Sequence, residues 1–455
     1  MNVLNKLARW AGEMSFEALS PSAVEKAKEC IMDVCGVTLA GSGHPAAKIV
    51  RECLMQSSDG GPCRVIGTEY RAKAPSAALA NAFAAHVWDF DDTCYAGIVH
   101  PSAVLFPTVL ALGEEGNATG KDILLAFIVG LEIQGKVGEA VSPYLFLKGW
   151  FTTGVLGVIG AAAASAKIFQ IPIAEVQNAI GLALSQTGGM RQHNGTPAKP
   201  YSAALAAENG LLSAQIARKG LSASPDILEG QYGFFHLYCD DQYDDSVFDK
   251  LGDPLVILSP GLSFKPHPSC SGTHAAMDAV IALASENRLT WQQVNRIHCR
   301  TTPIAVKSLP YNDPANPEQA QFSMPFSLAC VLKDGKLELS HLREQKFRDP
   351  VIREIMGKVV IEAVETFDLG GTSSAECPEG SEVAIETVDG RTLHKFVGHP
   401  RGSPCNPFSK EEQRLKFTSC AKGVIDDHKI NRCMELIEKL EFLEDVHILS
   451  HCLVP

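Results

Sequence analysis

Between His86 and Pro101 the chain reads HVWDFDDTCYAGIVHP. Asp89, Asp91, Asp92, Thr93 and His100 place three carboxylates, a hydroxyl and an imidazole within twelve residues. Crowded titratable groups shift one another's pKa and titrate together, which is what a general acid or base requires. The tract is therefore read as part of the active site of a cofactor-free acid–base enzyme. The same residues also fit a helix cap followed by a surface acidic turn. Asp91 with Asp92 could offer oxygen ligands to a hard cation such as magnesium, although no second carboxylate cluster of metal-binding spacing accompanies them.

Two further tracts carry polar side chains in suggestive order. MRQHNGTPAKPYSA holds Arg191, Gln192, Asn194 and Lys199 between two helical patterns. Such a loop suits a carboxylate ligand, Arg supplying a two-pronged clamp and Lys a point charge, although taken alone it reads equally as a solvated connection. SFKPHPSCSGTH presents Lys265, His267, Cys270 and His274. Two histidines seven apart with no carboxylate ligand nearby are more often packing residues than a metal pair, and no metal site is expected. Cys270 as a nucleophile has no supporting partner.

Absences narrow the chemistry. There is no GxGxxG opening a strand–turn–helix unit, no GxxxxGK[ST] and no GxSxG, so dehydrogenase, phosphate-loop and α/β-hydrolase readings lose their signatures. A net charge of −12 opposes a polyphosphate partner. Fourteen cysteines without a CxxC pair read as reduced thiols of a cytoplasmic protein. The first twenty residues contain glutamates and no apolar run of signal-peptide length, so export is not expected. The Gly/Ala-rich stretch from Thr152 to Ala166 is too short and small-sided to span a bilayer, and no membrane partner is expected.

These tracts must be held by a sizeable scaffold. At 455 residues, 45% hydrophobic and 20% charged, the chain can bury a large core. Helical spacing runs through Lys121–Val141, Thr153–Phe169, Ile173–Ser185 and Ala203–Lys219, with Ser22 and Glu25 as a capping box for an earlier helix ending near Gly41. The small residues of GVLGVIGAAAASA allow close helix approach. From about Ser263 the texture changes, with strand-like Arg296–Val306 and Lys358–Phe367, and a hairpin turning at Asp389 and Gly390. After Arg401 helical spacing returns, and these last helices are expected to rejoin the first part of the chain.

Taken together the tracts resemble the 2-methylcitrate dehydratase family, also called MmgE/PrpD, nearly end to end. The resemblance rests on DVCGVTLAG, DFDDT followed by HPSA, GAAAA, GTPAKP, KPHPSC with His274 downstream, and NPFSKEE with LKF. It implies a mainly α fold: a large all-helical domain built from residues 1–262 and 401–455, plus a smaller inserted α+β lid domain at 263–400. It also implies a homodimer, a small carboxylic acid as substrate, and no cofactor. Its polar site falls on Asp89, Thr93, His100, Lys199 and Lys265. In that site Lys199, Lys265 and Arg191 would hold carboxylates while His100 or Asp89 moves a proton on the adjacent carbon. Gln192, Asn194, Tyr201, His267, Cys270, His274, Phe151 and Phe326 are the expected substrate-binding neighbours, and Asp91 and Asp92 are left with structural roles.

Departures from the family pattern refine the expectation. Gly149, Trp150 and Phe151 stand where many members carry a histidine after a glycine–aromatic pair. Tyr201 replaces the usual leucine–histidine or phenylalanine–histidine pair after Lys199 and Pro200. Cys270 stands at the decarboxylase's histidine, Phe326 at a tyrosine, and one extra residue separates Thr93 from His100. The leading expectation is a dehydratase of a 2-methylcitrate-like or alkylcitrate-like acid. An epimerase of a dicarboxylate, as in iminodisuccinate epimerase, is the alternative; the lost proton-handling groups count against cis-aconitate decarboxylation. A non-catalytic binding protein on the same fold would have no evident reason to keep all five polar residues.

Overall fold

A computed structural model of the chain describes residues 1–56, 60–369, 371–373 and 376–455. It is mainly helical. Thr152–Ile168 packs against Gly120–Val141, Ala198–Ala217 and Pro101–Gly116. The backbones approach so closely that a Cβ on Gly160 would stand 2.8 Å from the Gly130 carbonyl, and one on Gly130 equally close to that of Gly160. The Gly/Ala-rich helix is therefore a matter of clearance: any side chain at these crossings would force the helices apart. No described helix is long and apolar enough to cross a membrane.

A four-stranded mixed sheet lies in the later part of the chain. Its order is Val359–Ala363, Val294–Thr301, Ser381–Thr387, Thr392–Val397, the first pair parallel and the others antiparallel. The last two strands form the hairpin expected at Asp389 and Gly390, where Gly390 takes φ +85°. The helix His274–Asn287 covers one side of the sheet, packing on the two hairpin strands. At the end of the chain, Lys410–Ala421 packs along Pro21–Ser42, and a Cβ on Gly36 would touch Phe417.

Several boundaries differ from those read in the sequence. The first long helix begins at Pro21 with Ser20 as its cap, accepting from the Ala23 N–H, so the Ser22–Glu25 capping box is not formed. Proline at the first helical position favours that earlier start. The strand expected over Arg296–Val306 stops at Thr301, because Thr302 and Pro303 begin a short helix, Pro303–Ser308, with Thr302 accepting from the Ala305 N–H. Lys358–Phe367 contributes only Val359–Ala363 as strand. The helix expected from Ala203 starts at Ala198, which moves Lys199 out of the connecting loop into the first turn of a helix.

Candidate active site

The acidic tract is shaped by what lies on either side of it. Helix Ala74–His86 ends at its histidine, and Asp89 then turns the chain with φ +50°, its N–H donating to the His86 carbonyl at 3.1 Å. Asp is among the few residues that tolerate this left-handed conformation. Thr93 exchanges both backbone bonds with Ser263, at 2.9 and 2.8 Å, which ties the tract to the segment carrying Lys265. Cys94 and Val99 exchange bonds in the same way, and His100 sits immediately before helix Pro101–Gly116. Asp92 turns away from the cavity and accepts from the backbone N–H and hydroxyl of Ser102.

A line of charges forms the floor. The Lys199 ammonium donates to Asp89 Oδ1 and lies 2.7 Å from His86 Nε2; His86 Nδ1 lies 2.8 Å from Asp91 Oδ2. Lys265 donates to Asp89 twice, to Oδ2 at 2.9 Å and to the carbonyl at 2.7 Å. With the ammonium donating to Nε2, the imidazole proton is assigned to Nδ1 and faces Asp91. Burial would raise Asp89, but Lys199 and Lys265 outweigh it and hold the carboxyl well below its usual range. Burial likewise lowers His86, against the pull of Asp91, and keeps the ring neutral. Phe151 and Phe322 flank the Lys199 ammonium, with ring centres at 5.2 and 5.1 Å.

His100 stands apart from this line. Its Nδ1 lies 2.9 Å from the Asp92 carbonyl, so the proton sits there and Nε2 carries a free lone pair. Burial, reinforced by Lys265 and Lys199, lowers its pKa well below the usual histidine value despite the pull of Asp91. The ring is a neutral base. Together with Asp89, Thr93, Lys199 and Cys270 it lines a cavity of about 60 Å³. Three polar atoms from residues of this wall, Thr93 Oγ1, Arg191 Nε and Asn194 Oδ1, are buried without a hydrogen-bond partner among the described residues. They are available to a ligand. Beyond Trp150, Arg191 and Asn194 lies a wider basin of about 680 Å³, bounded on its outer side by Lys148, Lys307 and Tyr311.

Of the residues singled out in the sequence, Asp89, Thr93, His100, Lys199, Arg191, Asn194, Cys270 and Phe151 converge on the cavity. Lys265 is not on its surface: it is 1% exposed, directs two bonds to Asp89, and so holds that carboxylate in place. Arg191 donates to the carbonyls of Phe146 and Lys307, at 3.1 and 2.7 Å, and lies over the Phe146 ring, so both terminal nitrogens are engaged while Nε is buried without a partner among the described residues. Gln192 is exposed and lines only the outer basin.

Four expected neighbours lie elsewhere. Tyr201 is 43% exposed on the outer face of the helix that carries Lys199. His267 and His274 are buried structural residues. Nδ1 of His267 lies 3.0 Å from the Leu337 carbonyl, and the His274 ring reaches the carbonyls of Ser271 and His267, each at 3.2 Å. Phe326 is fully buried against Phe347, an apolar core position in helix Met324–Asp334.

Asp91 extends the charge line through its bond with His86, and neither residue lines the cavity. His86 ends an alanine-rich buried helix, and only its position just ahead of the acidic tract could have drawn attention to it. Tyr95 and Phe322 also line the cavity. The chemistry of the donor set argues against a resident cation. His86, Asp89 and His100 bring ligand atoms within 4.8 Å of one another, but the Lys199 ammonium is bonded to the first two and supplies the positive charge there. The magnesium alternative fails on orientation: Asp91 faces His86 while Asp92 faces Ser102.

Two family models cover most of the chain. Residues 5–246 match the MmgE/PrpD N-terminal domain and residues 267–441 the MmgE/PrpD C-terminal domain. Cis-aconitate decarboxylase of Mus musculus is 27% identical over 456 residues, covering 96% of this chain and 90% of that protein. The Homo sapiens enzyme of the same name is 26% identical, covering 95% and 90%, and that of Aspergillus terreus 25%, covering 99% and 96%.

Proposed function

The chain belongs to the MmgE/PrpD family, and from that premise we propose that it is a cofactor-independent lyase that dehydrates a 2-methylcitrate-like or alkylcitrate-like acid. The observation that carries the reading is the pairing, in one cavity, of a neutral imidazole whose Nε2 is free with an ammonium that has a donor to spare. Lys199 commits two bonds, to His86 and Asp89, and its third N–H is open to a substrate carboxylate. His100 takes the proton from the carbon beside that carboxylate. The charge then spreads onto the carboxylate oxygens, where Lys199 and the unpartnered Thr93 hydroxyl stabilise it in a site shielded from water. The β-hydroxyl departs as water, leaving an unsaturated acid.

The alkyl part of the substrate has a wall of its own. Ile98, Phe146, Phe151, Ile304 and Phe322 face the cavity. Tyr201 and Phe326 do not. At about 60 Å³ the cavity holds on the order of a few waters. A citrate-sized acid therefore has to part the wall at Arg191 and Asn194 to enter from the outer basin.

Decarboxylation is the second reading, favoured by the cis-aconitate decarboxylases among the relatives. It uses the same ammonium, but Phe151 and Cys270 line the cavity where the resemblance sets histidines, leaving fewer groups to move protons. Incubation with 2-methylcitrate, an alkylcitrate and cis-aconitate in deuterated water, followed by proton NMR, tests the proposal. A vinylic product from a hydroxy acid supports dehydration, whereas carbon dioxide release from cis-aconitate replaces it with decarboxylation. Exchange at the α-carbon without net product makes the enzyme an epimerase, and no change with any acid refutes the catalytic reading.

A further inference from the structure

Dehydration needs an acid as well as a base: the departing hydroxyl must receive a proton, and His100 has just been filled by the one it removed. The cavity offers a second proton-bearing group. Tyr95, from the stretch between Thr93 and His100 that is one residue longer than in the decarboxylase, lines the same cavity with its hydroxyl 3.0 Å from Ser271 Oγ. Glu379, 6% exposed, follows Pro378 of the cavity wall, and its Oε2 accepts from Ser263 Oγ at 3.0 Å. The carboxyl raises the phenol's titration and the phenol lowers the carboxyl's. Ser263 is the residue that exchanges backbone bonds with Thr93, so this pair is braced against the same strand of chain as the base.

We propose that Tyr95 is the general acid of this site, delivering its phenolic proton to the leaving hydroxyl, and that Glu379 refills it. This rests on the dehydratase reading above. The α C–H bond breaks as His100 Nε2 takes the proton, the electron pair forms the C=C bond, and the C–O bond breaks with its electrons going to oxygen. The Tyr95 proton joins that oxygen to give water. The tyrosinate then takes the Glu379 proton, and the proton on His100 returns to Glu379 through solvent, so the enzyme is restored.

The protonation states suit these roles. Burial, with Glu379 adding to it, pushes the Tyr95 phenol well above its usual value, so it is a donor and never a base near neutrality. Burial raises Glu379 to about 7, against Ser263, Tyr95 and Lys265, with Asp278 adding to the rise. A substantial fraction of Glu379 therefore carries a proton to give.

Tyr95→Phe separates the acid from the base. With 2-methylcitrate or an alkylcitrate in deuterated water, the variant is expected to retain α-carbon exchange within a few-fold while water loss falls at least about 100-fold. Glu379→Gln should remove the fall of the elimination rate as pH rises through 7 and leave the acid side of the profile unchanged. That is a change which mere loosening of the fold would not produce. Water loss unaffected by Tyr95→Phe, or exchange and water loss falling together in a variant with wild-type circular dichroism, overturns the assignment while the dehydratase reading stands. If Tyr95→Phe does not fold, an unchanged pH profile in Glu379→Gln overturns it instead. Wild-type protein that neither exchanges nor eliminates overturns both.

Discussion

The Lys199 ammonium lies 2.7 Å from His86 Nε2 while it is also bonded to Asp89 Oδ1, so one cation joins two side chains more than a hundred residues away in sequence. The contact fixes the His86 tautomer and turns its remaining proton toward Asp91. It also explains why a fully buried carboxylate stays ionised. Asp89 is shared between two ammoniums, and unpaired it would protonate.

Removing that cation should therefore do more than weaken substrate binding. Lys199→Met is expected to lower kcat/KM by at least about 100-fold, the scale on which losing one preorganised donor is felt. Lys199→Arg should not restore it, because a planar fork cannot reproduce a point charge bonded to an imidazole, a carboxylate and a substrate. Steady-state kinetics on both variants, with circular dichroism to verify folding, makes the comparison; full activity in the arginine variant would refute this account of the site.

The acid side of the pH profile should report on His100. Burial, together with Lys265 and Lys199, lowers its pKa well below 6.5, so the neutral base persists to more acidic pH than an ordinary histidine would allow. The acid limb of kcat/KM is expected below pH 6.5. Because Lys265 also depresses His100, Lys265→Met should move the limb toward neutrality in whatever activity remains. A limb at or above 6.5 in the wild type would contradict the assigned state of the ring.

Behind the acidic tract, Lys416 pairs with Asp33 at 2.6 Å and donates to the Phe90 carbonyl at 2.9 Å. Both side chains are more than nine-tenths buried. Burial raises Asp33 from its usual value even against the pull of Lys416, which marks a carboxylate dependent on its partner. Lys416→Met should cost about 3–5 kcal/mol, because it strands a buried charge, whereas the double variant Asp33→Asn with Lys416→Met should recover much of the loss. Urea unfolding of these two variants and of Asp33→Asn tests the coupling, and simple additivity would show that the pair does not act as a unit.

What could be read in advance follows from how local each signal is. The hairpin at Asp389 and Gly390 is specified by adjacent residues, and the helices around Thr152–Ile168 by their own spacing, so both emerge from the sequence. The convergence of Asp89, His100 and Lys199 emerges from their residue types and from the family likeness. His86 stays hidden because nothing beside it on an alanine-rich helix hints at a partner beyond position 190. Phe326 and Tyr201 match a site motif by their spacing, yet one side chain turns into the core and the other into solvent. Sequence position could not distinguish Lys265 from Lys199, although only the latter faces the cavity.

Asp92 gives the most direct test of the buried tract without reference to substrate. Burial raises its carboxyl to about 8, against the bonds from Ser102, with Asp33 and Asp91 adding to the rise. In the unfolded chain the same group titrates near the ordinary Asp value of about 3.9. Between those two values the folded state holds a proton that the unfolded state has lost, so the group's contribution to stability falls as pH climbs from about 4 to about 8. An amide has no such proton to lose. In Asp92→Asn, Oδ1 still accepts the Ser102 N–H, while the NH₂ that replaces Oδ2 has to donate to the Ser102 hydroxyl, reversing the bond that Oδ2 accepts from it. The variant is expected to match the wild type within about 1 kcal/mol at pH 4, the worth of one exchanged hydrogen bond. By pH 8 it should be the more stable of the two. Melting temperatures of both proteins across that range decide the matter: curves that stay parallel would mean that Asp92 is ionised throughout, and that the negative charge beneath helix Pro101–Gly116 is balanced by some other group.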